Sequence, residues 1–346
     1  MKKGITKILS ACVFAFVVFL AAGTQSKAAV NMGVKQTGAG SSYVDLAWNA
    51  QLGAGHYHTQ FSQDGKNWID MEYSSSPSDS VYNLTQGASY YARVVAYNGS
   101  HYSGTHVMVG VSETAIVSTK PTEVTGLTQT AAGVNSVSMS WNASAGAASY
   151  VIYGYINYNW TQIGTSATNS ATITGVAATT STKFSVAAVK NVTGGTVTGD
   201  QCSGVEMKAI PIKVSRIAMQ YYWDSLKEAK YIWTDVNNAD GYQYEVKSAN
   251  GKKTYFRATS TSSYTYVKPF PRGIFVKARV RAYVTVGNKV YYGAWSPYTY
   301  HASSKKVTAK RSSNGKKIYL KWKKVSGASG YQVYVSSKIV SSATVY

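Results

Sequence analysis

Residues 44–61 read Val-Asp-Leu-Ala-Trp-Asn-Ala-Gln-Leu-Gly-Ala-Gly-His-Tyr-His-Thr-Gln-Phe. Val44, Leu46 and Trp48 alternate with small or polar residues, the period of a strand with one buried face. A Gly/Ala/Asn-rich connection follows, and a second alternating run begins at Tyr57. Trp48 and Tyr57 are nine residues apart. The same spacing returns at Trp141–Tyr150, Trp233–Tyr242 and Trp322–Tyr331, and successive tryptophans lie 93, 92 and 89 residues apart. A fixed short spacing nested in a fixed long one marks an array of one repeated domain.

The neighbouring residues repeat as well. Val137, Met139 and Trp141, then Ala229, Tyr231 and Trp233, then Ile318, Leu320 and Trp322 restate the first strand. Asp64-Gly65 and Asn250-Gly251 are dipeptides that accept positive φ and predict hairpin turns. A later strand alternates through Tyr90, Ala92, Val94 and Ala96, through Thr182, Phe184, Val186 and Ala188, and through Val276, Ala278, Val280 and Ala282. Before it stand Leu84-x-x-Gly87-x-x-Tyr90 and Phe270-x-x-Gly273-x-x-Val276, whereas the second repeat has Val176-x-x-Thr179-x-x-Thr182.

On these residues the chain resembles tandem fibronectin type III domains. The resemblance covers roughly residues 32–346, and its carriers are the strand-B Trp, the strand-C Tyr and the Leu84…Gly87…Tyr90 corner. It implies an all-β array of immunoglobulin-like sandwiches, seven strands each, with a corner tyrosine that hydrogen-bonds nearby backbone. It implies no reaction. The register places domains at 29–119, 120–211 and 212–304, with an incomplete fourth at 305–346, and the short X-Pro junctions predict an elongated array. The fourth repeat holds the first strands only. A half-sandwich buries too little to offset its ordering entropy, so we expect either a truncated sequence or completion by another chain.

Residues 1–28 read as a secretory signal peptide: Lys2, Lys3 and Lys7 precede an apolar run, and Ser26-Lys27-Ala28 offers the small residues of a cleavage site. Its loss leaves one cysteine, Cys202, which excludes an internal disulfide and reads as a small buried residue. No later stretch reaches membrane length. Export without disulfides and the Met-Lys-Lys start point to a Gram-positive bacterium. The charge is uneven. Residues 1–211 carry 11 Lys/Arg against 9 Asp/Glu, four of the bases within the signal, leaving about −2; residues 212–346 carry 24 against 5, or +19. Such asymmetry predicts a polyanionic partner for the C-terminal half.

No nucleophile elbow, phosphate-cradling loop or catalytic carboxylate pair stands out, so the chain is expected not to be an enzyme and to need no cofactor. No metal is assigned; His56, His58, His101 and His106 are the residues that could ligate one, because strands C, F and G share a sheet. Flanking Tyr57, His56 and His58 are expected to point away from the core. Tyr153, Tyr155 and Trp160 are expected on an outer face, where flat rings suit glycan or protein; Tyr291, Tyr292 and Trp295 share that ambiguity. Lys277, Arg279 and Arg281 alternate with apolar residues and are expected to face out. With Lys316, Lys317, Lys321, Lys323 and Lys324 they are the polyanion-binding candidates.

The composition thus predicts a secreted, surface-associated binding, adhesion and spacer protein. Its basic half would contact an anionic cell-wall polymer or glycan, with a host or surface protein as a further partner. Specific nucleic-acid binding and a membrane span are not expected. The competing reading is an accessory segment of an exported glycan-active enzyme.

Overall fold

The computed structural model describes residues 29–102, 106–223, 225–271, 273–302, 307–325, 329–331 and 333. The signal peptide, the Lys305-Lys306 pair and the end of the fourth repeat lie outside them. Among the described residues every regular element is a strand, and no helix is long and apolar enough to cross a membrane. The chain divides into two compact units. One comprises Asp45–Val81 and Tyr90–Ile116 with the described residues up to Thr37; the other comprises Gly38–Val44, Tyr82–Ser89 and the chain from Val117 onward.

The first repeat contains β1 (Lys35–Ala39), β2 (Val44–Ala47), β3 (His56–Ser62), β4 (Ile69–Ser74), β5 (Ser78–Val81), β6 (Ser89–Tyr97), β7 (Met108–Val111) and β8 (Ala115–Ser118). They form two antiparallel sheets, β1-β2-β5 and β4-β3-β6-β7, with β8 also on β6. The second repeat follows with β9 (Thr128–Gly133), β10 (Ser136–Ser140), β11 (Ser149–Ile156), β12 (Asn159–Ser166), β13 (Ser170–Thr174), β14 (Thr182–Val192), β15 (Gly195–Thr198) and β16 (Val205–Met207). The third holds β17 (Ile217–Trp223), β18 (Glu228–Trp233), β19 (Gly241–Ser248), β20 (Thr254–Ser260), β21 (Tyr264–Val267), β22 (Phe275–Val286), β23 (Lys289–Tyr292) and β24 (Thr299–Ala302). Both repeat the order of the first: β9-β10-β13 facing β12-β11-β14-β15, and β17-β18-β21 facing β20-β19-β22-β23. This three-plus-four arrangement is a fibronectin type III sandwich, repeated in tandem.

The period-2 pattern fixes what is buried. Val44, Leu46, Val94, Val137, Ile152, Val186, Tyr231, Val246 and Val280 are all buried. The Trp–Tyr pair recurs in all four repeats; in the first three it lies in the core, whereas Tyr331 of the fourth is exposed. The ring centroids of the four pairs lie 5.4, 5.3, 5.5 and 5.4 Å apart, tilted or edge-on. Edge-to-face packing adds about 0.5–1.5 kcal/mol to the area buried. Each tyrosine hydroxyl also accepts a backbone N–H from six residues upstream: Gln51 at 3.1 Å, Ser144 at 3.0 Å, Val236 at 2.8 Å and Val325 at 2.5 Å. In the first three repeats the ring therefore packs the core while its hydroxyl staples the loop leading into its own strand.

The last strand of each sandwich is broken rather than continuous. β7 and β8, β15 and β16, and β23 and β24 each pair with one long strand. At the break stands a small buried residue: Ser112, Cys202 or Ser296. Its side chain accepts the N–H of Val94 (2.8 Å), Val186 (3.2 Å) or Val280 (3.0 Å). Cys202 thus fills a recurring structural position.

In the fourth repeat β25 (Thr308–Arg311) pairs with β26 (Ile318–Lys321). Ile318 is 65% and Leu320 38% exposed, whereas Val44, Val137 and Tyr231 on the matching strand of the other repeats are buried.

Candidate binding face of the third repeat

Strands β19 and β22 are in register, with Gln243 opposite Arg281, Glu245 opposite Arg279 and Lys247 opposite Lys277. Because Tyr242, Tyr244 and Val246 fill the core, these six side chains share the outer face. The cations interleave with rings from the broken last strand. The Arg281 guanidinium lies 3.8 Å from the Tyr292 ring centroid and 4.4 Å from that of Trp295. Arg279 lies 4.3 Å from Trp295 and 4.8 Å from Tyr298. Lys277 sits 4.5 Å from Tyr298. Trp295 and Tyr298 each therefore stand between two cations. A planar guanidinium suits this stacking better than an ammonium.

Beneath the ladder lies one carboxylate. Glu245 is fully buried and contacts Arg257 Nη2 at 2.5 Å, Arg279 Nε at 2.6 Å and Lys247 Nζ at 3.2 Å. The Tyr298 hydroxyl donates to it at 3.3 Å. Burial alone would raise the Glu245 pKa. The hydrogen bonds from Arg257, Arg279 and Lys247 outweigh it and hold the group at about 2. A buried charge persists only when paired and hydrogen-bonded in this way. Around the single carboxylate stand five cations (Lys247, Arg257, Lys277, Arg279 and Arg281), so the face keeps a net positive charge.

The cations are thus on the expected face, yet none projects freely. Arg279 is tied to Glu245, and the Gln243 side chain holds Arg281 through contacts of 3.0 and 2.6 Å. Lys316, Lys317, Lys321, Lys323 and Lys324 are all exposed, on β26 or beside it. No acid occurs anywhere in residues 246–346.

The aromatic candidates separate. Tyr155 and Trp160 are opposite one another on the β11–β12 hairpin, with ring centroids 5.3 Å apart and both exposed. Tyr153 is half-buried beside them. The Tyr291 hydroxyl reaches the Thr130 carbonyl at 3.4 Å. It thereby joins the Lys208–Asp240 ion pair, 2.7 Å, in linking the second and third repeats within one unit.

His56 stands with His58 on the outward face, as expected, but it is buried there rather than exposed. The connection after β6 covers it: Gly99 adopts φ +71°, and its carbonyl accepts from His56 Nδ1 at 3.0 Å. The four candidates do come together, with the His56 ring centroid 5.4, 5.5 and 5.2 Å from those of His58, His101 and His106.

Glu245, Arg257 and Tyr298 were missed in the sequence. The available signal was register: Glu245 lies three residues after the strand-C tyrosine, and Arg279 three before the Ala282 that pairs with that tyrosine.

No family profile matches the sequence. Over 162 residues the chain is 33% identical to chitinase A1 of Niallia circulans, an alignment spanning 44% of this chain and 22% of the chitinase. The chain therefore covers about a fifth of that relative's length. Among solved structures it aligns with the chicken CNTN1 FN1–FN3 domains at TM-score 0.33 and 15% identity, covering 79% of this chain and 98% of that one.

Proposed function

We propose that the chain is a non-enzymatic binding and spacer protein, secreted and held at a cell surface. Its basic half contacts an anionic wall polymer or glycan. The observation that carries this reading is the cation–ring ladder of the third repeat. It holds Lys277, Arg279 and Arg281 flat and pre-ordered around a single carboxylate, so an anion met there costs little side-chain entropy. The exposed lysines of β26 extend the same sign of charge. The carboxylates support a structural role for themselves. Glu245 is buried in its network; Asp45 accepts from Ser80 at 2.7 Å and Asp79 from Thr59 at 3.0 Å. Asp64 caps its turn through the Lys66 and Asn67 amides, both at 2.8 Å.

The test is retention of the secreted chain on immobilised teichoic acid or a sulfated glycan across a salt series. Retention should fall steeply with salt. It should weaken when Lys316, Lys317, Lys321, Lys323 and Lys324 become Gln, and further when Lys277→Gln and Arg281→Gln are added. Salt-independent retention, or none at low salt, refutes the reading.

The partial likeness to a chitinase favours one alternative, an accessory segment of a glycan-active enzyme. Here the Tyr155–Trp160 pair would form a platform for sugar rings. Pull-down on insoluble chitin discriminates: retention that survives high salt and is lost in Tyr155→Ala/Trp160→Ala supports the alternative.

A further inference from the structure

We propose that the first repeat carries a transition-metal site of imidazole nitrogens, taking one zinc or copper(II) ion between His56, His58 and His101, with His106 at its rim. The chain has five histidines, and four of them converge here. One ring nitrogen from each of His56, His58 and His101 lies within 4.8 Å of the other two. His58 Nε2 and His101 Nδ1 are 3.2 Å apart. Two nitrogens bound to one tetrahedral zinc at about 2.0 Å would lie about 3.3 Å apart. The His58–His101 pair already has that spacing, and the cluster as a whole is within about 1.5 Å of it.

The decisive residue is His56. It is 2% exposed, and its Nδ1 faces the Gly99 carbonyl at 3.0 Å. A carbonyl accepts only, so the proton is on Nδ1 and Nε2 presents a lone pair. That Nε2 is buried and has no hydrogen-bond partner among the described residues. A buried acceptor without a donor is costly unless something electropositive meets it. An imidazole oriented by a backbone carbonyl through its other nitrogen is also how proteins present histidine to metals.

Two tyrosines wall the cluster. Tyr97 stacks on His56 at 5.3 Å and 13°, and Tyr73 stacks on His101 at 4.0 Å and 6°. Gly55 lets the Gly99 carbonyl pass, since a Cβ there would come within 2.1 Å of that oxygen. An all-imidazole set suits zinc or copper rather than calcium or magnesium.

The test uses the tag-free full chain, stripped of metal and dialysed against zinc, with bound metal counted per chain. One ion per chain at neutral pH is expected, with cobalt substitution giving the visible bands of a tetrahedral site. The double variant His58→Gln/His101→Gln should weaken uptake by more than about 100-fold, beyond the loss of an outer-shell partner. His301→Gln should leave uptake unchanged. Binding should weaken on acidification, because a protonated imidazole has no lone pair to give. NMR of the unmutated chain keeps the outcome independent of variant folding. Zinc should move the ring signals of His56, His58 and His101 and spare His301. No uptake, uptake equal in the double variant, or uniform ring shifts would overturn the site.

Discussion

The outer faces of the first and third sandwiches are built on one backbone frame and carry opposite chemistry. Register aligns Tyr57 with Tyr242, since each pairs with an alanine of the long strand. Counting from these tyrosines, His56 stands where the third repeat has Gly241, His58 where it has Gln243, and Gln60 where it has Glu245. Across the sheet, Arg93 matches Arg279. In the first repeat the Arg93 guanidinium bonds neutral Gln60 at 2.7 Å and lies 4.1 Å from the Trp68 ring centroid. In the third, Arg279 meets a buried carboxylate and two rings. The core residues dictate the frame, and the outward positions between them are where the repeats diverge.

The largest test of that contrast is to remove the central acceptor in each. Glu245→Ala should cost the third repeat about 3 kcal/mol, the lower end of the penalty for breaking a buried ion pair, because half-exposed Arg257 can return to water. Gln60→Ala should cost the first repeat less, about 1.5 kcal/mol, because the bonds of Gln60 to the Arg93 guanidinium and the Asp70 carboxylate are partly exposed and both ions can return to water. Hydrogen exchange on β19 and β22 against β3 and β6 reads the two repeats separately. Equal losses would mean that the Glu245 network is not what distinguishes the faces.

Acidification gives the second contrast. Glu245 has a folded pKa of about 2, below its ordinary value of 4.5. Its contribution is present above that value and is lost as pH falls toward 2. His301, held down to about 4 by burial, acts earlier. The unfolded chain takes up its proton near pH 6.5, so stability falls between about 6.5 and 4. The third repeat should therefore lose stability in two stages, and Glu245→Gln should abolish only the lower. The first repeat, with His58 lowered, should begin to weaken near pH 6.5, and Glu245→Gln should leave its profile unchanged. Urea midpoints across pH on both chains measure this.

A smaller effect isolates the ladder. Arg279→Lys keeps the charge and loses the planar stack between Trp295 and Tyr298, for an expected ~1–2 kcal/mol in the third repeat. The same change at Arg93, which has one ring and a neutral partner, should cost about half as much.

How much of this could be read from the chain follows from the range of each signal. The Trp–Tyr spacing and the alternation through Val276, Ala278, Val280 and Ala282 are local, so the sandwiches and their cores were legible. The outward setting of Lys277, Arg279 and Arg281 was legible for the same reason. Their stacking was not, because Trp295 and Tyr298 come from a strand broken at Ser296, and no period announces a break. Period 2 puts Glu245 on the outer face, but its burial arises from side chains 12 and 34 residues away. His56 is a similar case. Period 2 gives the face on which a residue stands, but whether a connection such as Asn98-Gly99 folds over that face depends on tertiary packing.

The smallest predicted effect tests the shared frame itself. Cys202 occupies the break where the other repeats have Ser112 and Ser296, and it accepts the same backbone N–H. Ser112 and Ser296 also donate onward, to the Glu113 and Pro297 carbonyls at 2.7 and 2.9 Å. In the second repeat the Ser185 hydroxyl instead reaches the Cys202 carbonyl at 2.6 Å. A serine at 202 would shorten and strengthen the bond from Val186, while a buried hydroxyl replaces a thiol that packs as a small hydrophobe. The two effects oppose, so Cys202→Ser should change stability by less than about 1 kcal/mol, whereas Cys202→Val should cost about 1–3 kcal/mol by leaving the Val186 N–H unpaired. Thermal melts of both variants decide it. A severe loss in Cys202→Ser would mean that the second repeat breaks its last strand for a reason the other two do not share.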